Sequence, residues 1–200
     1  MRERGGEDLS HEILRDATLF AILPKIDADL AETARVAGCE CGGVLHRSDF
    51  PRKARGGPSG LGAEYAERIS FCCNRKGCRG RVTPPSVRFL GRKVYVGAVV
   101  VLVSAMRNGP TPRRIAKLRE LLGISERTLR RWSAWWGSAF AAGAFWKAVG
   151  GRFAPPPPAI DALPHSLLER FGGGARASLV AALRFLCPIT TTSARCDMAA

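Results

Sequence analysis

The chain has 200 residues, 46% of them hydrophobic, and a formal net charge of +14 from 31 Lys+Arg against 17 Asp+Glu. That length holds one domain or two small ones, and the apolar content supplies a core. The longest apolar run, Val94 to Met106, falls short of the roughly 20 residues that a membrane-crossing helix needs.

The positive excess is concentrated. Residues 39–137 carry 20 basic and 6 acidic side chains, against 5 and 8 in residues 1–38 and 6 and 3 in residues 138–200. Such a block attracts polyanions, because each phosphate contact releases counterions. The N-terminus is polar and acidic, without the pattern of a secretory signal. The expected compartment is therefore the reducing cytoplasm, in association with the nucleoid. There, seven cysteines point to metal or thiol chemistry rather than disulfides.

In chain order, residues 1–10 are expected to be disordered. Helical spacing of Ile13, Leu14, Ala17, Phe20 and Ala21 predicts a helix from His11 to Leu23 that stops at Pro24. A second short helix is expected over Asp27 to Ala37, with Asp27 as N-cap and Gly38 as the stop. Residues 39–90 mix cysteine, glycine and arginine with short apolar stretches. Strands are expected at Arg68–Phe71 and Arg79–Val82, a loop at Arg55–Gly62 and one more strand at Val87–Leu90. Tyr95 to Met106 is valine-rich; its length favours a buried helix, its composition a strand, and helix is preferred. Asn108-Gly109-Pro110 ends it. Helices follow at Thr111–Leu122 and Ser125–Ala139. Pro155 to Pro158 is a stiff spacer. Amphipathic pieces at Leu163–Phe171 and Ala175–Leu186 precede a tail expected to be disordered. Their apolar residues suit either a packed helical pair or a partner.

Two cysteine groups lie about 30 residues apart: Cys39 and Cys41 followed by two glycines, and Cys72, Cys73 and Cys78 around Gly77. Zn2+ takes four soft ligands in a tetrahedron, and tight turns supply two thiolates each. The candidate ligands are Cys39, Cys41, Cys73 and Cys78. Cys73 is preferred because it shares a strand face with Phe71, but Cys72 remains an alternative and His46 a reserve ligand. The spacings, CxC and CxxxxC, depart from the usual CxxC pairs. A catalytic zinc is not expected, since no HExxH or His-x-Glu arrangement is present. Arg47, Arg52, Lys53, Arg55, Arg68, Arg75, Lys76, Arg79 and Arg81 crowd this module, and those that are exposed are expected to be free for phosphate.

The sharpest pattern is PTPRRIAKLRELLGISERTLRRWSAWW. Thr111 caps a helix with Pro112 at its first position. Gly123 permits a left-handed turn, Ile124 plugs the core and Ser125 caps a second helix. At about 100° per residue, Leu129, Trp132 and Trp136 share one side of that helix, while Arg127, Arg130 and Arg131 share the other. An apolar anchor behind and guanidiniums in front are what a helix entering a DNA major groove needs. Thr128 joins the candidate DNA contacts, and Arg113, Arg114 and Lys117 on the preceding helix would flank the backbone. Trp135, Phe145 and Trp146 are expected in the core or at a dimer contact.

The runs CECGGVLHRSDFPRK, FCCNRKGCRGRVTPPSVRFLGRKVY and LLGISERTLRRW resemble the zinc-ribbon and helix-turn-helix DNA-binding N-terminal segments and small accessory proteins of bacterial insertion sequences. This resemblance, over residues 39–137, implies a function in recognising the ends of a mobile element or regulating it, alone or beside a separately encoded transposase. A transposase would also need three carboxylates on a downstream catalytic fold. Residues 138–200 hold only Asp161, Glu169 and Asp197, so no enzymatic activity is expected. The expected fold is α+β, mainly α: N-terminal helices over 1–38, a small zinc-ribbon-like β module over 39–90, a helix-turn-helix unit over 91–150 and C-terminal helices over 151–200. The expected ligands are zinc and double-stranded DNA, with a homodimer as a further option. The alternatives are a transcription regulator and a zinc-ribbon protein-interaction module.

Overall fold

A computed structural model describes residues 12–90, 95–105, 111–153 and 163–194. Residues 1–11, the turn at Asn108-Gly109-Pro110, the polyproline spacer, Asp161 and Asp197 lie outside the described residues. The architecture is mixed α and β and mainly helical, as expected.

Helix α1 spans Ala17–Ala37 and begins at Asp16, whose carboxylate accepts from the amides of Thr18 (2.9 Å) and Leu19 (3.3 Å). It neither stops at Pro24 nor restarts at Asp27, contrary to the sequence expectation. Pro24 lies inside the helix, and Asp27 is a buried residue of its core face. The expected end does occur, at Gly38.

After α1 come β1 (Leu45–Arg47), β2 (Phe50–Pro51), β3 (Glu67–Arg68), β4 (Phe71–Cys73) and β5 (Arg81–Thr83). Strands β2 and β3 form a separate pair. The larger sheet is antiparallel, in the order β1-β4-β5-β6. Its last strand, β6 (Thr192–Ala194), comes from the far end of the chain, so this stretch is not the disordered tail that composition suggested. Three short strands do not form a broad sheet, and β5 offers an open edge that the tail pairs with. A small core of Ala31, Leu45, Ile69, Phe71 and Cys73 lies beneath, joining the end of α1 to the ribbon.

The main core is helical. Helix α2, Gly97–Ser104, is apolar on every side and is buried from Gly97 to Val103. A helix without a polar face has to be an interior element, and this settles the choice between helix and strand for the valine run. Gly97 permits close approach: a Cβ there would meet the Val87 carbonyl oxygen at 3.1 Å and Leu183 at 3.3 Å. Helices α3 (Pro112–Leu122) and α4 (Glu126–Trp135) follow, and α4 runs on into a wider π turn over Trp136–Phe140. Helices α5 (Ala144–Val149), α6 (His165–Leu168) and α7 (Gly174–Leu186) close the structure. Leu167, Leu179 and Leu183 are buried, with Leu168, Phe171 and Phe185 packed against the same core, so these side chains face inward. Trp135, Phe145 and Trp146 also join this aromatic core.

One polar network crosses the core. Asp27 accepts from the Val87 amide (2.6 Å), the Ser86 hydroxyl (2.5 Å) and Arg88 Nε (2.7 Å). Arg88 also donates to the Glu64 carbonyl. Both charged side chains are nearly inaccessible, at 0% for Asp27 and 3% for Arg88. Each member finds a partner here, which is what a buried charge requires.

Candidate functional site

The first cysteine turn follows directly from the end of α1. The Cys39 amide donates to the Gly43 carbonyl (3.1 Å) and the Gly42 amide to the Cys39 carbonyl (2.7 Å), which curls the chain back on itself. The second turn links β4 to β5. There the Cys78 amide donates to Arg75 and the Cys73 amide to Gly80. Asn74 ties the turns together, with its amide donating to the Val44 carbonyl and its side-chain oxygen accepting from the Val44 amide, both at 3.0 Å. The Arg75 guanidinium donates to the Cys41 carbonyl.

These turns bring Cys39, Cys41, Cys73 and Cys78 together, with their sulfurs all within 4.8 Å of one another. Cys41 and Cys73 Sγ are 3.5 Å apart, and Cys39 and Cys78 Sγ 3.7 Å. A zinc ion with four sulfurs at about 2.3 Å has tetrahedron edges of about 3.8 Å. The thiols therefore stand close to the spacing that one tetrahedral ion demands. Gly43 makes room for them: a Cβ at that position would meet Cys73 Sγ at 2.4 Å and Cys41 Sγ at 3.3 Å.

Register explains why Cys73 rather than Cys72 joins the group. Cys73 lies opposite Leu45 and Cys72 opposite His46, on alternating faces of the sheet. Cys72 and His46 both stay outside the four-thiol cluster.

The electrostatics favour a cation. The Gly43 amide, then the thiols of Cys78 and Cys73, pull Cys41 down to about 6. Cys73 receives the Arg75 amide (3.4 Å), yet burial and the adjoining thiols push it up to about 12. One thiolate forms readily, and the next is resisted by the first. A bound dication removes that resistance, since thiolates are its preferred ligands.

The second candidate site is α4. Thr111 caps α3, accepting from the Arg114 amide (3.4 Å). Gly123 closes α3 in the left-handed region (φ 63°, ψ 25°), and Ser125 caps α4 by accepting from the Thr128 amide (3.3 Å). Leu129, Trp132 and Trp136 are buried on one side of the helix, while Arg127, Arg130 and Arg131 are exposed on the other.

The chain matches no protein-family model, no curated protein and no solved structure.

The candidate DNA contacts therefore rest on geometry, which separates them. Arg127 is exposed, whereas the Arg130 guanidinium bonds to Glu126 at 2.6 and 2.9 Å. Arg131 donates to the Tyr95 hydroxyl (2.9 Å). Thr128 is half-buried, with its hydroxyl 3.1 Å from that of Ser125, so it belongs to the cap. Arg113 and Lys117 are exposed on α3, and Arg114 is half-buried.

The arginines of the ribbon are not all free for phosphate. Arg68 is buried, donates to the Pro84 carbonyl, and is lowered to about 10 by burial, against the pull of Asp27. Arg81 donates to the Ser48 carbonyl and the Ser70 hydroxyl, and Arg47 pairs with Asp49. Lys53, Arg55, Lys76 and Arg79 remain exposed. Tyr95 and Glu126, which hold two of the α4 arginines, were not singled out from the sequence. For Glu126 the signal was there, in its spacing of four residues from Arg130.

Proposed function

We propose that the protein is a zinc-dependent, double-stranded DNA-binding protein that inserts α4 into the major groove. The observation that carries this reading is the polarity of α4. Its inner face is anchored by Leu129, Trp132 and Trp136, and its outer face presents Arg127, Arg130 and Arg131. Guanidiniums suit both guanine edges and phosphates. The four-thiol cluster supports the metal: Cys39, Cys41, Cys73 and Cys78 would hold zinc, which would stabilise a ribbon that has only a small core of its own. In this reading α3 lies across the backbone, with Arg113, Arg114 and Lys117 toward phosphates.

The resemblance to DNA-binding segments of insertion sequences extends the proposal to a target at the ends of a mobile element and a transposase as partner. No catalytic role is assigned. The test is fluorescence anisotropy of labelled duplex with the full chain. Tight, salt-sensitive binding that drops on Arg127→Ala and on the Arg130→Ala/Arg131→Ala pair supports it. Affinity unchanged in all of these variants refutes it. Preference for terminal repeats of a neighbouring element over an operator-like palindrome separates the mobile-element assignment from transcriptional regulation.

A further inference from the structure

We infer that the loop around Lys53 and Arg55 is a second DNA contact, an arm fixed against α4 that grips the phosphate backbone beside the groove. This rests on the DNA-binding reading above and extends it from the helical unit to the β module.

The loop is seated on the helical unit rather than projecting from the ribbon. Arg55 forms a parallel bridge with Tyr95, and its carbonyl accepts from the Val96 amide (3.2 Å). Gly56 has φ +70°, and a Cβ there would meet Ile124 and Trp132 at 3.3 Å each. Those two residues are the plug of the turn and the core anchor of α4. Tyr95 completes the junction. Its ring stands edge-on to Trp132 (5.0 Å between centroids), its hydroxyl accepts from Arg131, and the Arg131 guanidinium lies 5.9 Å from the ring centre. One tyrosine thus borders both the loop that carries Arg55 and the helix that carries Arg131.

Charge and anchoring fit a phosphate ligand. From Phe50 to Ala63 the sequence has three basic residues and no acidic one. Lys53 and Arg55 are exposed, so their charges face solvent next to α4. Arg55 is anchored through its backbone, which leaves its side chain available. Arg131 has five donors, and the Tyr95 bond uses one, holding the rest in place for a phosphate oxygen. Contacts of this kind set register on the duplex without reading sequence.

The experiment is a salt titration of random-sequence duplex binding with the full chain, between about 50 and 200 mM monovalent salt. Each phosphate contact contributes about 0.9 to the slope of log K against log salt. Lys53→Ala/Arg55→Ala is expected to reduce the slope by about 2, and Arg55→Lys to keep it near that of the unmodified protein. Lys25→Ala, which removes one positive charge from the exposed side of α1, is expected to leave it unchanged. Gly56→Val keeps every charge but unseats the loop, and is expected to lower the slope as well. If Lys53→Ala/Arg55→Ala changes the slope no more than Lys25→Ala does, the arm is refuted while the role of α4 stands. If the unmodified protein shows no salt-sensitive duplex binding, both readings fall together.

Discussion

The Tyr65 hydroxyl donates to the Phe20 carbonyl at 2.9 Å, and Phe20 lies four residues before Pro24. In an α-helix that carbonyl would accept from the amide of residue 24, which a proline does not have. Tyr65 supplies the missing donor from outside the helix. Burial raises its pKa, so the hydroxyl keeps its proton. Its ring also stands edge-on to Phe20 and Phe89.

Tyr65→Phe should therefore leave a buried carbonyl without a donor and cost about 1–3 kcal/mol in urea unfolding. The decisive variant is Pro24→Ala, which restores a backbone N–H at the right place. In that background Tyr65→Phe should cost at least about 1 kcal/mol less. Equal costs in both backgrounds would show that Tyr65 acts by packing alone.

Gly43 carries the second prediction. Its replacement by alanine places a Cβ 2.4 Å from Cys73 Sγ, a contact that forces the turn or the sulfur to move. With zinc bound, Gly43→Ala should lower metal affinity at least about 10-fold, comparable to the loss of an outer-shell partner. Cys39→Ser and Cys73→Ser should abolish stoichiometric zinc, whereas Cys72→Ser should retain about one ion per chain. Metal content by elemental analysis, with thermal unfolding before and after chelation, checks all four variants. Full zinc in Cys73→Ser would remove the tetrathiolate assignment.

Asp27 carries the third. It is the carboxylate to which Arg88, Ser86 and Val87 all donate. Asp27→Ala strands a buried guanidinium and should destabilise the protein by about 3–5 kcal/mol. Asp27→Leu/Arg88→Met, which removes both charges, should recover a large part of that. Chemical denaturation of the two variants decides between a costly orphaned charge and a pair that itself supplies the stability.

These residues show what the sequence displays and what it conceals. The α3–α4 unit was legible almost residue by residue, because Thr111, Gly123 and Ser125 bond to backbone groups within four positions of themselves. The four-thiol grouping was legible in outline, since glycine-flanked cysteines announce turns; choosing Cys73 over Cys72 needed the strand face that β4 imposes. Pro24 misled, because the partner that lets the helix pass through it, Tyr65, lies 45 residues away in the sequence. Asp27 misled for the same reason: an acid after a proline reads as a cap until Arg88 is placed against it. Strand β6 was hidden because its pairing with β5 spans more than 100 residues and leaves no local pattern.

Glu126 holds the Arg130 guanidinium through two hydrogen bonds, with both side chains largely exposed. An exposed i,i+4 pair contributes only about 0.3–0.5 kcal/mol, so breaking it costs the helix little. Its effect on DNA binding should be larger, since Glu126 both occupies Arg130 and places a negative charge in the first turn of the proposed recognition helix. Glu126→Gln should raise duplex affinity about threefold or more and steepen the salt dependence toward one additional phosphate contact. Arg127→Ala, which removes an exposed guanidinium that no carboxylate holds among the described residues, should cost more than Arg130→Ala in the unmodified background. In Glu126→Gln the two arginines should become comparable. Anisotropy titrations of the three single variants and the two double variants check this order. A Glu126→Gln protein that binds more weakly would mean that the Glu126–Arg130 pair is itself the DNA-reading arrangement, with the carboxylate accepting from a base as in cytosine recognition.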